Sequence, residues 1–166
     1  MRVPIRKGSG PIYGPLDPKM TQEKYEELKN KLDFWLKVRR PRDAEEVKRL
    51  ALEGDFSENV GYQVAKGRLR GLNQSIINLE KLLKRAEIIN KNTNLEEVNI
   101  GAKVKIKIGD NTRVYTILGS SETDPTNNII SHLSPLGANL LGRKLNEKFI
   151  ITLNKKEKRC QILEIL

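Results

Sequence analysis

Tyr25, Leu28, Leu32 and Trp35 recur three, four and three residues apart, which makes one apolar stripe along a helix. Thr21 opens the pattern, with Glu23 and Lys24 in the first turn. The stripe fails at Arg39-Arg40-Pro41-Arg42, where Pro41 is expected to kink or interrupt the helix. It resumes as Ala44, Val47 and Ala51, with Leu50 beside them, and Gly54 stops it. Ala65, Leu69, Leu72, Ile76, Leu79, Leu83 and Ala86 then alternate spacings of four and three, a heptad seam. Two seamed helices joined by a few residues bury their stripes by folding back on each other. The pattern therefore predicts an antiparallel coiled-coil hairpin over residues 21–90, with its tip at 54–59. A second helix of roughly 30 residues would rise about 45 Å.

After Asn90 the period changes from heptads to alternation. Val104, Ile106 and Ile108 alternate with Lys103, Lys105 and Lys107, a strand with one wet face. Gly109-Asp110-Asn111 forms a turn, and the chain returns from Val114 to Leu118 as a partner strand. Residues 128–133, 148–153 and 159–166 are further strand candidates. Leu136, Leu140, Leu141 and Leu145 mark a short helix or helical turn between them. The fold class is α+β, a helical hairpin followed by a small domain of mixed or antiparallel sheet. The proline- and glycine-rich residues 1–20 read as an irregular leader, 91–96 as a linker, and 97–166 as the second domain.

Composition narrows the function. Charged residues are 31% of the 166 and the mean hydropathy is −0.54, as expected of a soluble protein. No stretch approaches the ~18 apolar residues that span a bilayer, and the leader lacks the apolar core of a secretory signal. Cys160 is the only cysteine, which excludes a disulfide within the chain and fits a reducing cytoplasm. The net charge of +10, spread along the chain, favours a polyanionic partner. Aromatic residues at 5% are too few for a base-stacking platform. There is no P-loop, Cys/His cluster or nucleophile elbow, and His132, the sole histidine, sits in a strand pattern. A self-contained enzyme is hard to assemble from these residues.

The tip carries the candidate chemistry. Glu53, Asp55 and Glu58 fall within six residues, and no Lys or Arg occurs between Ala51 and Ala65. On either side the sign reverses, with Lys48 and Arg49 before and Lys66, Arg68 and Arg70 after. Hard carboxylate oxygens suit Mg²⁺, which takes one or two such ligands and completes its shell with water and phosphate. A basic shaft suits RNA phosphates. The same residues fit a plainer role. Asp55 and Glu58 match a capping box with Asp55 as N-cap, and Ser57 is an alternative cap. Arg39, Arg40 and Arg42 equally fit a solvated kink, and Lys66 and Arg70 an exposed helical face.

From about Met20 to Leu166 the residues resemble the Gre transcript-cleavage factors, the family of GreA and GreB. Leu32-Asp33-Phe34 and Val38-Arg39-Arg40-Pro41 resemble its first-helix signature. Gly54-Asp55-Phe56-Ser57-Glu58-Asn59, then Tyr62, resembles its tip signature G-D-x-x-E-N-x-x-Y. Ala86-Glu87-Ile88-Ile89 resembles the end of its second helix, and Ser134-Pro135 with Leu140-Leu141-Gly142 its S-P…A-L-x-G segment. Four motifs in order are far more specific than any one.

The resemblance implies an FKBP-like C-terminal domain that docks on the rim of RNA polymerase's secondary channel. It implies a hairpin that enters the channel and stimulates the polymerase's own cleavage of backtracked RNA, an accessory role in transcription elongation. Asp55 and Glu58 would then be the catalytic and metal-binding acids, holding Mg²⁺ jointly with the polymerase. Arg39, Arg40, Lys48, Arg49, Lys66, Arg68 and Arg70 would contact the nascent RNA 3′ segment, and Ser134 and Pro135 would lie in the docking loop. DNA binding and a cytoplasmic location follow from the same likeness, with no membrane partner. Val60 and Gly61 depart from the Ala and acid usual after the tip Asn, and the leader is longer than usual. Tyr62-Gln63 and residues 66–70 lean toward GreB without deciding the type. Three rivals stand beside this reading: a channel-binding regulator that inhibits without promoting cleavage, an FKBP-type prolyl isomerase, and a coiled coil that binds RNA without polymerase. An isomerase needs an aromatic-lined pocket, for which this domain offers Tyr115 and Phe149.

Overall fold

Thr21 does begin the first helix. Its side chain accepts from the Lys24 N–H and caps α1, Gln22–Phe34. The computed structural model describes residues 17–52, 59–90, 95–153 and 156–166. Before Pro41 the α-helix is interrupted but not ended. Trp35–Arg39 forms one π-helical turn, closed by the Arg40 N–H on the Trp35 carbonyl, and the chain continues as α2, Arg40–Ala51. Proline has no N–H to give and its ring crowds the preceding turn, and the wider turn absorbs both defects.

The return helix α3, Val60–Lys84, has 25 residues and rises about 37 Å at 1.5 Å per residue. It is shorter than the seam suggests because Glu87–Ile88 leaves the helix as strand β2. That strand pairs in parallel with β1, Lys19–Met20. The end of the expected irregular leader is therefore structured. Met20 is fully buried with Leu79 and Leu82, under Tyr25, Leu28, Leu32 and Trp35. Within the seam Ala65, Leu72, Ile76 and Leu79 are buried, but Leu82 rather than Leu83 continues it. On α2 the expected Ala44 is exposed, and Asp43 takes the buried place.

The C-terminal domain is a curled sheet with strand order β5-β4-β3-β7-β6. Its strands are β3 (Lys103–Ile108), β4 (Asn111–Leu118), β5 (Ile129–Ser131), β6 (Lys148–Leu153) and β7 (Lys156–Ile165). The β4–β5 pair is parallel and the others are antiparallel. The short helix α4, Pro135–Leu140, packs Leu140 into a core of Val104, Ile106, Ile117, Ile151 and Ile162. This is the expected α+β class, a helical hairpin followed by a sheet domain.

The two parts are tied at the hairpin base. Thr21 donates from its backbone and hydroxyl to the Glu122 carboxylate at 2.9 and 2.5 Å. Asp17 accepts from the Ser120 N–H at 2.7 Å. Gly119 lets the β1 backbone cross it, since a Cβ there would collide with the Lys19 carbonyl.

Candidate functional site

At the far end of the hairpin α2 and α3 converge on one side chain. Asn59 Oδ1 accepts from the Tyr62 N–H at 2.9 Å, and its Nδ2 donates to the Leu50 carbonyl at 3.0 Å. One amide thus caps α3 and satisfies a carbonyl near the end of α2, where helical donors run out. The Gly61 position leaves this contact room, since a Cβ there would lie 3.3 Å from Asn59 Oδ1 and 3.7 Å from Leu50 Cδ2. Leu52 and Val60, at the two sides of the opening, are 81% and 74% exposed.

Asp55 and Glu58, with Glu53 and the rest of residues 53–58, lie outside the described residues. The cap itself does not. The N-cap of α3 is Asn59, so neither Asp55 nor Ser57 fills it, and Glu58 precedes the cap instead of standing three residues beyond it. The capping-box alternative therefore fails for α3.

The basic residues are spread around the shaft. Arg39 is half-buried with its Nε 3.9 Å from Asp43 Oδ2, and Arg42 lies 3.4 Å from the other oxygen. Arg68 crosses the seam to Glu46 at 2.9 Å. Lys66 stacks over the Tyr62 ring at 5.4 Å. Two residues apart on one helix, Lys66 and Arg68 project about 200° from each other. Arg40, Lys48, Arg49 and Arg70 are exposed. The structure groups Arg39 with Asp43 and leaves the others on several sides of the hairpin. Asp43, buried to 1% exposure with Oδ2 lacking a hydrogen bond, escaped the sequence reading because it sits one residue from the expected Ala44.

The family model for the N-terminal domain of transcription elongation factors matches residues 18–88, starting beside β1. The model for the C-terminal domain of GreA/GreB elongation factors matches residues 92–166. The transcription elongation factor GreA of Caldanaerobacter subterraneus subsp. tengcongensis is 37% identical over 149 residues, covering 88% of this chain and 95% of that one. The chain belongs to the GreA/GreB family.

The GreA of Clostridium botulinum strain Kyoto is 36% identical, over 88% of this chain and 93% of its own. Among solved structures, GreA factor homolog 1 of Thermus thermophilus covers 89% of this chain and 97% of its own, at 22% identity and a TM-score of 0.40.

In this Gre-family chain Ser134 caps α4 by accepting from the Gly137 N–H at 3.0 Å, and Pro135 takes the first turn. Ser134 also lines a cavity of about 250 Å³ with Arg113, Tyr115, Ile129 and Ile130. Phe149 lies elsewhere, buried beneath the Arg143 guanidinium at 4.0 Å. Among the described residues Tyr115 and Phe149 line different cavities, which leaves the isomerase reading without a pocket that joins them. Burial pushes the Cys160 thiol above its ordinary range and away from nucleophilic use. His132 is buried with Nδ1 3.4 Å from Asp17 Oδ2 and 3.3 Å from the Leu118 carbonyl. Among the described residues no hydroxyl or thiol bonds its ring, so its part is to fasten the leader's end to the sheet domain. Sequence reasoning missed this pairing because its partners are 115 residues apart.

Proposed function

We propose that this chain binds RNA polymerase, enters its secondary channel with the hairpin, and stimulates the polymerase's own cleavage of backtracked RNA. The observation that carries this reading is the cap at Asn59. With the cap of α3 supplied by an amide, Asp55 and Glu58 are released from the structural task that competed for them. They lie next to the hairpin end in sequence, on the segment joining two helices that project from the sheet domain.

Two carboxylates suit Mg²⁺ when a partner brings the remaining ligands, and polymerase with its RNA phosphates supplies them. The metal would assist attack of water on the RNA phosphodiester. The chain's own residues add charge at the reacting end and hold it in place from a closed hairpin. Of the basic residues, Arg40, Lys48, Arg49, Lys66, Arg68 and Arg70 are exposed toward the RNA 3′ segment, and Arg39 is half-buried. Arg39, Lys66 and Arg68 are steadied by Asp43, Tyr62 and Glu46 respectively. The cavity that Ser134 lines with Arg113, Tyr115, Ile129 and Ile130, next to Pro135 in sequence, is the docking surface in this reading. Among the described residues no helix is long and apolar enough to cross a membrane.

The test is a stalled, backtracked elongation complex carrying 3′-labelled RNA. Adding the pure protein with Mg²⁺ is expected to release short 3′ fragments and restore elongation. The same protein with free RNA should release nothing, because two acids do not hold two metals by themselves. Binding at saturation without fragment release would identify the channel-occupying inhibitor instead. Cleavage of free RNA would overturn the accessory role.

A further inference from the structure

The docking cavity faces one side of the sheet, and the other side carries charge that the cleavage reading does not use. Tyr115 and Arg113, which line the cavity, pair with Val104 and Ile106 on the buried side of β3. Lys103, Lys105 and Lys107 alternate with those residues and project outward. On β7, Arg159 and Gln161 share that outward side, since Cys160 and Ile162 between and beyond them are buried. On β6, Lys148 pairs with Gln161 and Ile150 with Arg159. Lys107, Lys148, Arg159 and Gln161 meet around a concavity of about 330 Å³ whose floor is shared by Phe149, Ile150 and Cys160.

Five cations thus stand on three adjacent strands. Alternate residues on a strand are about 6.8 Å apart and strands about 4.8 Å, so the cations fall within roughly 14 by 10 Å. The acids of the face are Glu164 at one end, 3.6 Å from Lys105, and Glu157 at the other. Lys103, Lys107, Lys148 and Arg159 form no ion pair among the described residues.

We infer that this face binds the phosphate backbone of a nucleic-acid duplex without reading sequence. Four of the five cations are lysines, which serve as point charges for phosphate but are depleted at protein–protein interfaces. Thr112 and Thr116 on β4 and the Gln161 amide add neutral donors of the kind that position a backbone. Phe149 is the aromatic at this concavity, and it is buried with its ring under Arg143, so the face offers no exposed stacking platform of the kind single strands require. Because it lies opposite the Ser134 cavity, both surfaces are usable at once. The inference does not rest on the cleavage reading.

The experiment uses the full chain and a labelled 20-base-pair duplex of mixed sequence, with affinity measured from about 50 to 200 mM salt. The Lys107→Ala/Lys148→Ala/Arg159→Ala variant is expected to bind at least about tenfold more weakly at the low-salt end. Its log–log salt slope should be shallower by about 2 to 3, because each lost phosphate contact removes about one. All three side chains are exposed, so its melting temperature should match the parent. If the triple variant melts early, Lys107→Ala and Lys148→Ala, on different strands, should each lower the slope by about one. A Lys48→Ala/Arg70→Ala variant of the hairpin should retain most duplex binding. Unchanged affinity and slope in the face variants, or loss confined to the hairpin variant, would overturn the inference. So would face variants that keep duplex binding and lose polymerase, since the face would then meet an acidic protein surface.

Discussion

The hairpin and the sheet domain bury their side chains on different terms. In α1 and the π-helical turn no residue is buried, and in α2 the one buried residue is an aspartate. In the sheet domain Val98, Ala102, Val104, Ile106, Ile117, Leu140 and Ile162 are all fully removed from solvent. Two helices can only shield a narrow seam between them, whereas a sheet packed under a helix encloses a layer. The difference teaches where each kind of work can be done. The hairpin gives up core to expose most of its surface along a lever some 25 residues long. The sheet domain supplies the rigid seat, and the base of the lever is clamped to it by Thr21 on Glu122, Asp17 on Ser120 and the Lys19 backbone crossing Gly119.

The contrast is broken most directly by comparing one large-to-small change in each part. Ile162→Ala is expected to cost about 3–5 kcal/mol, because the site is fully enclosed. Leu72→Ala should cost only about 2 kcal/mol, since a thin seam collapses onto a smaller side chain. Denaturant melts of both variants read the difference, and equal losses would remove it.

Asn59→Ala sharpens the account of the hairpin end. It removes a cap and a cross-link to Leu50 together, and the expected cost is about 1 kcal/mol. Amide exchange should rise at Tyr62 and Gln63 while the sheet domain stays protected. Uniform loss of protection across both parts would mean that the cap serves more than the tip.

Asp43→Leu has the smallest effect and the least expected sign. The carboxylate is buried between arginines that are themselves 42% and 75% exposed. Replacing it with an apolar side chain should leave stability unchanged or raise it by about 1 kcal/mol, because the arginines return to water. A clear loss in thermal melts would show that the ion group holds the π-helical turn in register.

Much of this was legible in the residues because local periodicity dictated it. The Lys103–Ile108 alternation became β3, residues 148–153 became β6, and Leu72, Ile76 and Leu79 line the seam. What escaped depended on distant partners. Nothing local in Lys19-Met20 announces a strand whose partner is Glu87-Ile88, and nothing in Asp17 announces His132. The interruption expected at Pro41 takes the form of a π turn at Trp35–Arg39, because proline's missing donor permits a π turn as well as a break. At the site, the acids stand out by charge reversal, and the cap that they also fit falls to Asn59. Asparagine caps as well as aspartate, so composition alone could not choose between them.

On the proposed function, Asp55 and Glu58 serve a metal and not the fold. The decisive measurement sets stimulated RNA cleavage by Asp55→Asn beside its melting temperature. The substitution keeps the size of the side chain and removes its charge. Cleavage should fall nearly to the unstimulated rate with the melting temperature unchanged and polymerase affinity intact, and added Mg²⁺ should restore part of it by mass action. Full cleavage by Asp55→Asn at ordinary Mg²⁺, or a loss that follows only the melting temperature, would contradict the account.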